Sequence, residues 1–254
     1  MRLWLRGPAV LRLTANCRHF VKMYVGQDAS AIRRTLSEIT ISEVDMGSNK
    51  SKVKRKWILL VVLFCFLLLV SIHILAPFPT SESKAINLPN RFDVPINTGF
   101  ELQGKNQCAA FSTAFVLRNF GGKAKGSEVY DRIQYKIPFS GYVLPKGVVT
   151  YIQSQGFRPA IFKGNINSLK AKLVQGNNPV IVLVGNGLFW QHYMTLVGYD
   201  NEKPELYFVD SGREKDENAK LPGNRTMTED YFSKWWNNGL PIFNHVYITV
   251  EKTL

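Results

Sequence analysis

Residues 103–122 read QGKNQCAAFSTAFVLRNFGG. The polar run Gly104–Gln107 is followed by Ala and Phe at helical spacing, and Gly121–Gly122 closes the stretch, so a helix should begin near Cys108. Working outward, LPKGVVTYIQSQG (144–156) and INSLKAKLVQG (166–176) carry the same period and predict two further helices. Four apolar β-branched or aromatic runs then predict strands: PVIVLVG (179–185), HYMTLVGY (192–199), ELYFVD (205–210) and HVYITV (245–250). The second and third flank a polar turn, DNEKP, and between the last two lies TMTEDYFSKWWNNG, where Thr226 and Glu229 have capping-box spacing ahead of an aromatic helix. Helices first and an antiparallel sheet second predict an α+β domain.

The remainder of the 254 residues decides where that domain sits. From Trp57 to Ala76 the chain runs WILLVVLFCFLLLVSIHILA without a formal charge. As a helix it would be about 30 Å long, the thickness of a hydrocarbon core. Lys50, Lys52, Lys54, Arg55 and Lys56 precede it, whereas the fifteen residues after it hold only Lys84 and Arg91. The positive-inside bias then keeps the N-terminus in the cytoplasm and sends everything after Pro77 outward. A cleaved signal peptide is the competing reading, but secretory apolar regions are shorter and no small-x-small site closely follows Ala76. The expectation is a single-pass cell-membrane protein with an extracytoplasmic C-terminal domain.

This divides the chain into a basic segment 1–56, a transmembrane helix 57–76, a proline-bearing stalk 77–100 and a domain over 86–254. The net charge of +13 is concentrated at the start, since residues 1–56 hold 12 basic and 4 acidic side chains. A nucleic-acid partner is therefore not expected. With 45% hydrophobic residues and three cysteines, a disulfide miniprotein, an acidic disordered chain and a collagen-like repeat are excluded. The acid-free opening, residues 1–25, reads either as a membrane-surface helix or as an over-extended start upstream of Met46. Cys17 and His19 lack further ligands, Cys65 and His73 inside the apolar run receive no chemistry, and no CxxC, HExxH, carboxylate cluster or phosphate loop appears. No cofactor and no metal are expected.

Cys108 is the one cysteine in the outward domain, so it has no intrachain disulfide partner there. At the first turn of a helix, exposed N–H groups and the macrodipole favour a thiolate. A free thiol is only a few per cent ionised at neutrality, so a histidine partner is required. The domain offers His192 and His245. His192 opens one strand and Asp210 closes the next, so in a hairpin both stand at its open end. They share a face only if paired residue numbers sum to an even value, which a three- or five-residue turn gives and a four-residue turn does not. With that parity Asp210 would orient His192. His245 has no acid placed comparably. Gln103 is a better oxyanion donor than Gln107, which would have to turn back on the sulfur's own site.

These residues carry a resemblance. QGKNQCAAFSTAFVLRNFG, LKAKLVQGNNPVIVLVG, WQHYMTLVGYD, LYFVDSG and TEDYFSKWW follow in the order seen in papain-like cysteine peptidases of the C39 and C39-like group. The likeness spans about 170 residues. It implies a papain-like fold, with Cys108 as nucleophile, His192 as general base and acid, Asp210 as its orienter and Gln103 at the oxyanion hole. The family's Gln usually stands six residues before the Cys rather than five, and many members carry Asp where this chain has Gln107.

Each assignment has a plainer counterpart. Cys108 could be a small core residue, Asp210 and Asp200 turn residues, Trp190 a core ring or a substrate wall, and Trp235 and Trp236 packing groups. Lys105 and the run Arg213–Lys220 read as solvated surface. The expected function is a membrane-anchored thiol hydrolase, a cysteine peptidase acting on a peptide or protein. The alternatives are an amidase or transpeptidase of cell-wall peptides, and a catalytically silent binding domain.

Overall fold

The structure, a computed structural model, describes residues 54–82, 87–186, 190–214, 220–237 and 242–253. Cys17, His19 and Met46 and part of the Arg213–Lys220 run lie outside them. The chain divides into two units at Leu68–Leu69. A helix α1 covers Lys54–Leu75, and its apolar side chains, among them Leu59, Phe64 and Leu69, are exposed.

Beyond α1 the elements are β1 (Thr80–Ser81), β2 (Arg91–Asp93), α2 (Cys108–Asn119), α3 (Gly126–Arg132), α4 (Pro145–Ser154), β3 (Phe157–Lys163), α5 (Ile166–Gly176), β4 (Val180–Asn186), β5 (Trp190–Asp200), β6 (Glu205–Val209), β7 (Arg225–Thr228), α6 (Glu229–Trp236) and β8 (Val246–Lys252). The strands form one sheet in the order β1-β3-β8-β4-β5-β6-β7. β2 pairs β5 at Gly198–Asp200, just past the residues paired with β4, so part of the expected stalk belongs to the sheet. The α+β expectation holds, in the papain-like arrangement of a cysteine-bearing helix against a sheet that is antiparallel except where the two-residue β1 runs parallel to β3.

Helix α2 is buried on all sides, with only Arg118 outside the interior. A helix without a polar face belongs inside a domain. Ala109, Ala110 and Ala114 are at most 1% exposed, and such small side chains bring the helix close to β5. Ser112 Oγ donates to the Tyr193 carbonyl at 3.1 Å, and Tyr193 Oη donates to that of Val143 at 3.0 Å. These bonds fix the helix against the strand that carries His192.

Three expectations need correction. The cap of α6 is Thr228, whose Oγ1 accepts from Tyr231 N, because Thr226 and Met227 are drawn into β7. β3 was not legible: FRPAIFK contains Pro159 and alternates in exposure, and it lies between α4 and α5, so the helices do not all precede the sheet. The turn between β5 and β6, residues 201–204, has four residues, the length that would place His192 and Asp210 on opposite faces. Pairs Asp200↔Glu205 to Gly198↔Tyr207 run in that register, but a bulge at Val197 shifts the pairing to Leu196↔Phe208 and Thr195↔Val209. The even parity is thereby restored. The Val197 carbonyl accepts from Val94 N at 2.9 Å, so the bulge is tied to the chain just past β2.

Candidate active site

Cys108 is the first residue of α2 and is 2% exposed. The chain reaches it through a tight turn in which Asn106 takes φ +60° and donates Nδ2–H to the Ser140 carbonyl at 2.7 Å. Gln107 Oε1 accepts from Gly104 N at 3.1 Å. That bond holds the Gln107 side chain on its own turn.

His192 lies on β5 opposite Val184, 9% exposed. Its Nε2 meets Asp210 Oδ1 at 2.7 Å, and Cys108 stands near enough to act on the ring. With Nε2 given to the carboxylate, Nδ1 is the nitrogen left to face sulfur. Burial alone would lower the imidazole pKa. The bonds and charges of Asp210 and Cys108 outweigh it and lift the ring from 6.5 to about 9. Tyr193, fully buried next to it, is held well above the usual phenol range.

Asp210 is 1% exposed at the end of β6. Burial pushes its pKa up, but His192, the Gly212 N–H and Arg225 together take it down from 3.8 to about 2. Gly212 N donates to Oδ1 at 2.8 Å, and Arg225 Nη1 donates to Oδ2 at 2.6 Å. Asn224 secures the backbone on both sides, accepting from Asp210 N at 2.7 Å and donating to its carbonyl at 2.8 Å. A buried carboxylate is tolerable only when satisfied in this way.

Gln103 is anchored to Ser211, the residue after Asp210. Its N–H donates to the Ser211 carbonyl at 2.8 Å, and Ser211 Oγ donates to its Oε1 at 2.8 Å. The amide is thus oriented with its oxygen engaged and Nε2 as its donor end. Trp190, 38% exposed, stacks on His192 with centroids 6.0 Å apart. Trp235 meets Trp190 edge-on at 5.0 Å, whereas Trp236 is a core ring at 1% exposure.

The four residues singled out in the sequence therefore divide as follows. Cys108, His192 and Asp210 form one line, hydrogen-bonded between His192 and Asp210, and Gln103 is tied through Ser211 to the residue after Asp210. His245 stands before β8, half-buried at φ +54°, with its pKa lowered by burial and Lys163. Asp200 closes a local turn, accepting from Glu202 N at 2.9 Å. Asn224, Arg225 and Ser211 were missed, because polar residues in a charged loop carry no sequence signal of burial. Such a line can hold a thiolate beside an imidazolium and pass a proton between sulfur, nitrogen and a third group. Among the described residues no group of three His, Cys, Asp or Glu could hold a metal ion.

A family model described as "Peptidase_C39 like family" matches residues 90–239, more than half of the chain and a span that includes Cys108, His192 and Asp210. No curated protein matches. Similar solved structures include the peptidase domain of Streptococcus ComA, a bifunctional ABC transporter (17% identity, 61% of this chain and 97% of that one, TM-score 0.43). Another is a double-glycine-motif protease of an AMS/PCAT transporter in complex with the leader peptide (14%, 66% and 100%, 0.44). A third is xylellain, a cysteine protease from Xylella fastidiosa (14%, 69% and 92%, 0.47).

Proposed function

We propose, from the premise that this chain belongs to the Peptidase_C39 like family, that it is a cysteine peptidase working through Cys108, His192 and Asp210. The observation that carries this reading is an imidazole bonded to a carboxylate at 2.7 Å and acted on by Cys108, which stands at the first turn of a buried helix.

The reaction begins with transfer of the Cys108 thiol proton to His192, which leaves a thiolate beside an imidazolium. The thiolate attacks the scissile carbonyl, a C–S bond forms, and the oxyanion is held by the Cys108 N–H and the Gln103 amide. The first-turn N–H of a helix has no intrahelical acceptor, which suits it to that role. On collapse the C–N bond breaks and His192 delivers its proton to the leaving amine. His192 then takes a proton from water, hydroxide displaces sulfur from the thioester, and the acid product leaves with the thiolate restored. Asp210 keeps the ring in one tautomer and orientation throughout.

The anchoring of this peptidase at a membrane belongs to the same proposal. Among the described residues one helix, Lys54–Leu75, is long and apolar enough to cross a bilayer, and its exposed apolar surface suits lipid. The basic residues before it support a catalytic domain outside the cytoplasm.

The test is a peptide mixture and, in parallel, purified cell wall, each digested by the full chain in detergent or liposomes and by its Cys108→Ala variant, with products read by mass spectrometry. New peptide termini made by the native protein alone are expected. Peptides left intact, with only cell-wall crosslinks or amides cut, would replace the peptidase reading by the amidase or transpeptidase one.

A further inference from the structure

The carboxylate of Asp210 is shared. One oxygen serves His192, and the other is taken by Arg225 at the start of β7. Arg225 is not a surface residue that happens to reach inward, since its side chain is 11% exposed and its Cζ lies 4.4 Å from the centroid of the Trp235 ring. Its Nε is buried and meets no acceptor among the described residues, so its placement rests on the carboxylate and the indole face. Leaving a donor unmet has a cost, which makes this placement worth explaining.

The contacts close on themselves. Arg225 lies on Trp235, Trp235 meets Trp190, Trp190 stacks on His192, and His192 returns to Asp210. Gly223 makes the approach of this segment possible: it takes φ +80°, and a Cβ there would collide with the Phe208 carbonyl. The next residue, Asn224, then grips the Asp210 backbone, and Arg225 grips its side chain.

We propose that Arg225 is a positioning residue of the active site, which takes Oδ2 of Asp210 so that only Oδ1 is offered to His192, and which balances the carboxylate's charge. This rests on the peptidase reading above. An unbalanced carboxylate would grip the imidazolium proton more tightly and slow its delivery to the leaving group. The guanidinium, laid on the Trp235 ring, moderates that grip. Among the described residues, the ionisable groups acting on the pair are Cys108 from α2 and Arg225 from β7; α6 contributes the neutral Trp235.

The experiment follows the His192 ring by NMR through its titration in the native protein, in Arg225→Gln and in Arg225→Lys. In the Gln variant the midpoint should move up by about one pH unit, and the Lys variant, which keeps the charge, should return it to within a few tenths of the native value. A midpoint that stays or falls in a folded Gln variant overturns the proposal, as does a Lys variant that behaves like Gln. Should the Gln variant not fold, the native protein supplies the measurement. A downfield, slowly exchanging Arg225 Nη–H signal is expected, and a freely exchanging guanidinium overturns the proposal. The peptidase reading fails separately, on peptide cleavage, whatever the titration of His192 shows.

Discussion

His192 and Asp210 face each other at 2.7 Å across a hairpin whose four-residue turn would, by itself, have set them on opposite sides of the sheet. Val197 bulges out of β5 between the turn and the site, its carbonyl taken by Val94, and the one extra residue brings both side chains to the same face. A single residue added to one strand thus decides whether the acid can reach the imidazole.

Because burial alone would depress the imidazole pKa, its value of about 9 depends on its partners. In Asp210→Asn the His192 midpoint should fall well below the native value. NMR titration of the ring measures this, and a midpoint still near 9 would mean that the carboxylate does not support it.

Gln103→Ala should lower peptide hydrolysis by about 10²–10³-fold, the usual effect of deleting one oxyanion donor. Alkylation of Cys108 by a small haloacetamide, which passes through no oxyanion, should be unchanged. Ser211→Ala, which frees the amide that Gln103 presents, should show a smaller loss of the same selective kind. Equal losses in both reactions would assign Gln103 to folding instead.

The His192–Asp210 pair also makes stability depend on pH. His192 is raised from 6.5 to about 9, so its contribution is complete below pH 6.5 and is lost as pH rises through about 9. Asp210 is lowered from 3.8 to about 2, so its contribution is present above pH 3.8 and is lost as pH falls through about 2. Both record one contact and are not added. Urea unfolding across this range should give a plateau between the two limits that flattens at both ends in Asp210→Asn.

Far from the site, Lys170 on α5 is 2% exposed and is neutralised by Glu229, with Asn201 Oδ1 at 2.5 Å and the Tyr199 ring 4.8 Å from its Nζ. Lys170→Ala should destabilise the domain by about 3 kcal/mol, since it breaks a buried pair and opens a void. Lys170→Met keeps the aliphatic stem, and Glu229, at 27% exposure, can turn to water, so its loss should be smaller. Urea midpoints for the two variants check the order.

The helices and strands that could be read in the sequence are those with one unambiguous period. α2, α4 and α5 carry apolar residues at helical spacing, and β4 is a continuous β-branched run. β3 escaped because Pro159 and exposed alternate residues hide it, and β7 because four residues in a charged stretch look like loop. The positions of Cys108, His192 and Asp210 followed from element ends. The bulge that brings the last two together has no local signature, because it is held by Val94, more than a hundred residues earlier. Arg225 shows the same limit, since nothing in its neighbours announces that a cation will be buried against Trp235.

The most direct measurement is the labelling of Cys108 by a thiol-directed probe at about pH 6, in the native chain and in His192→Ala. Rapid labelling that is lost with the imidazole is the expected result. A native rate no faster than that of an ordinary thiol, unaffected by His192→Ala, would contradict it and leave a domain of this family without the chemistry.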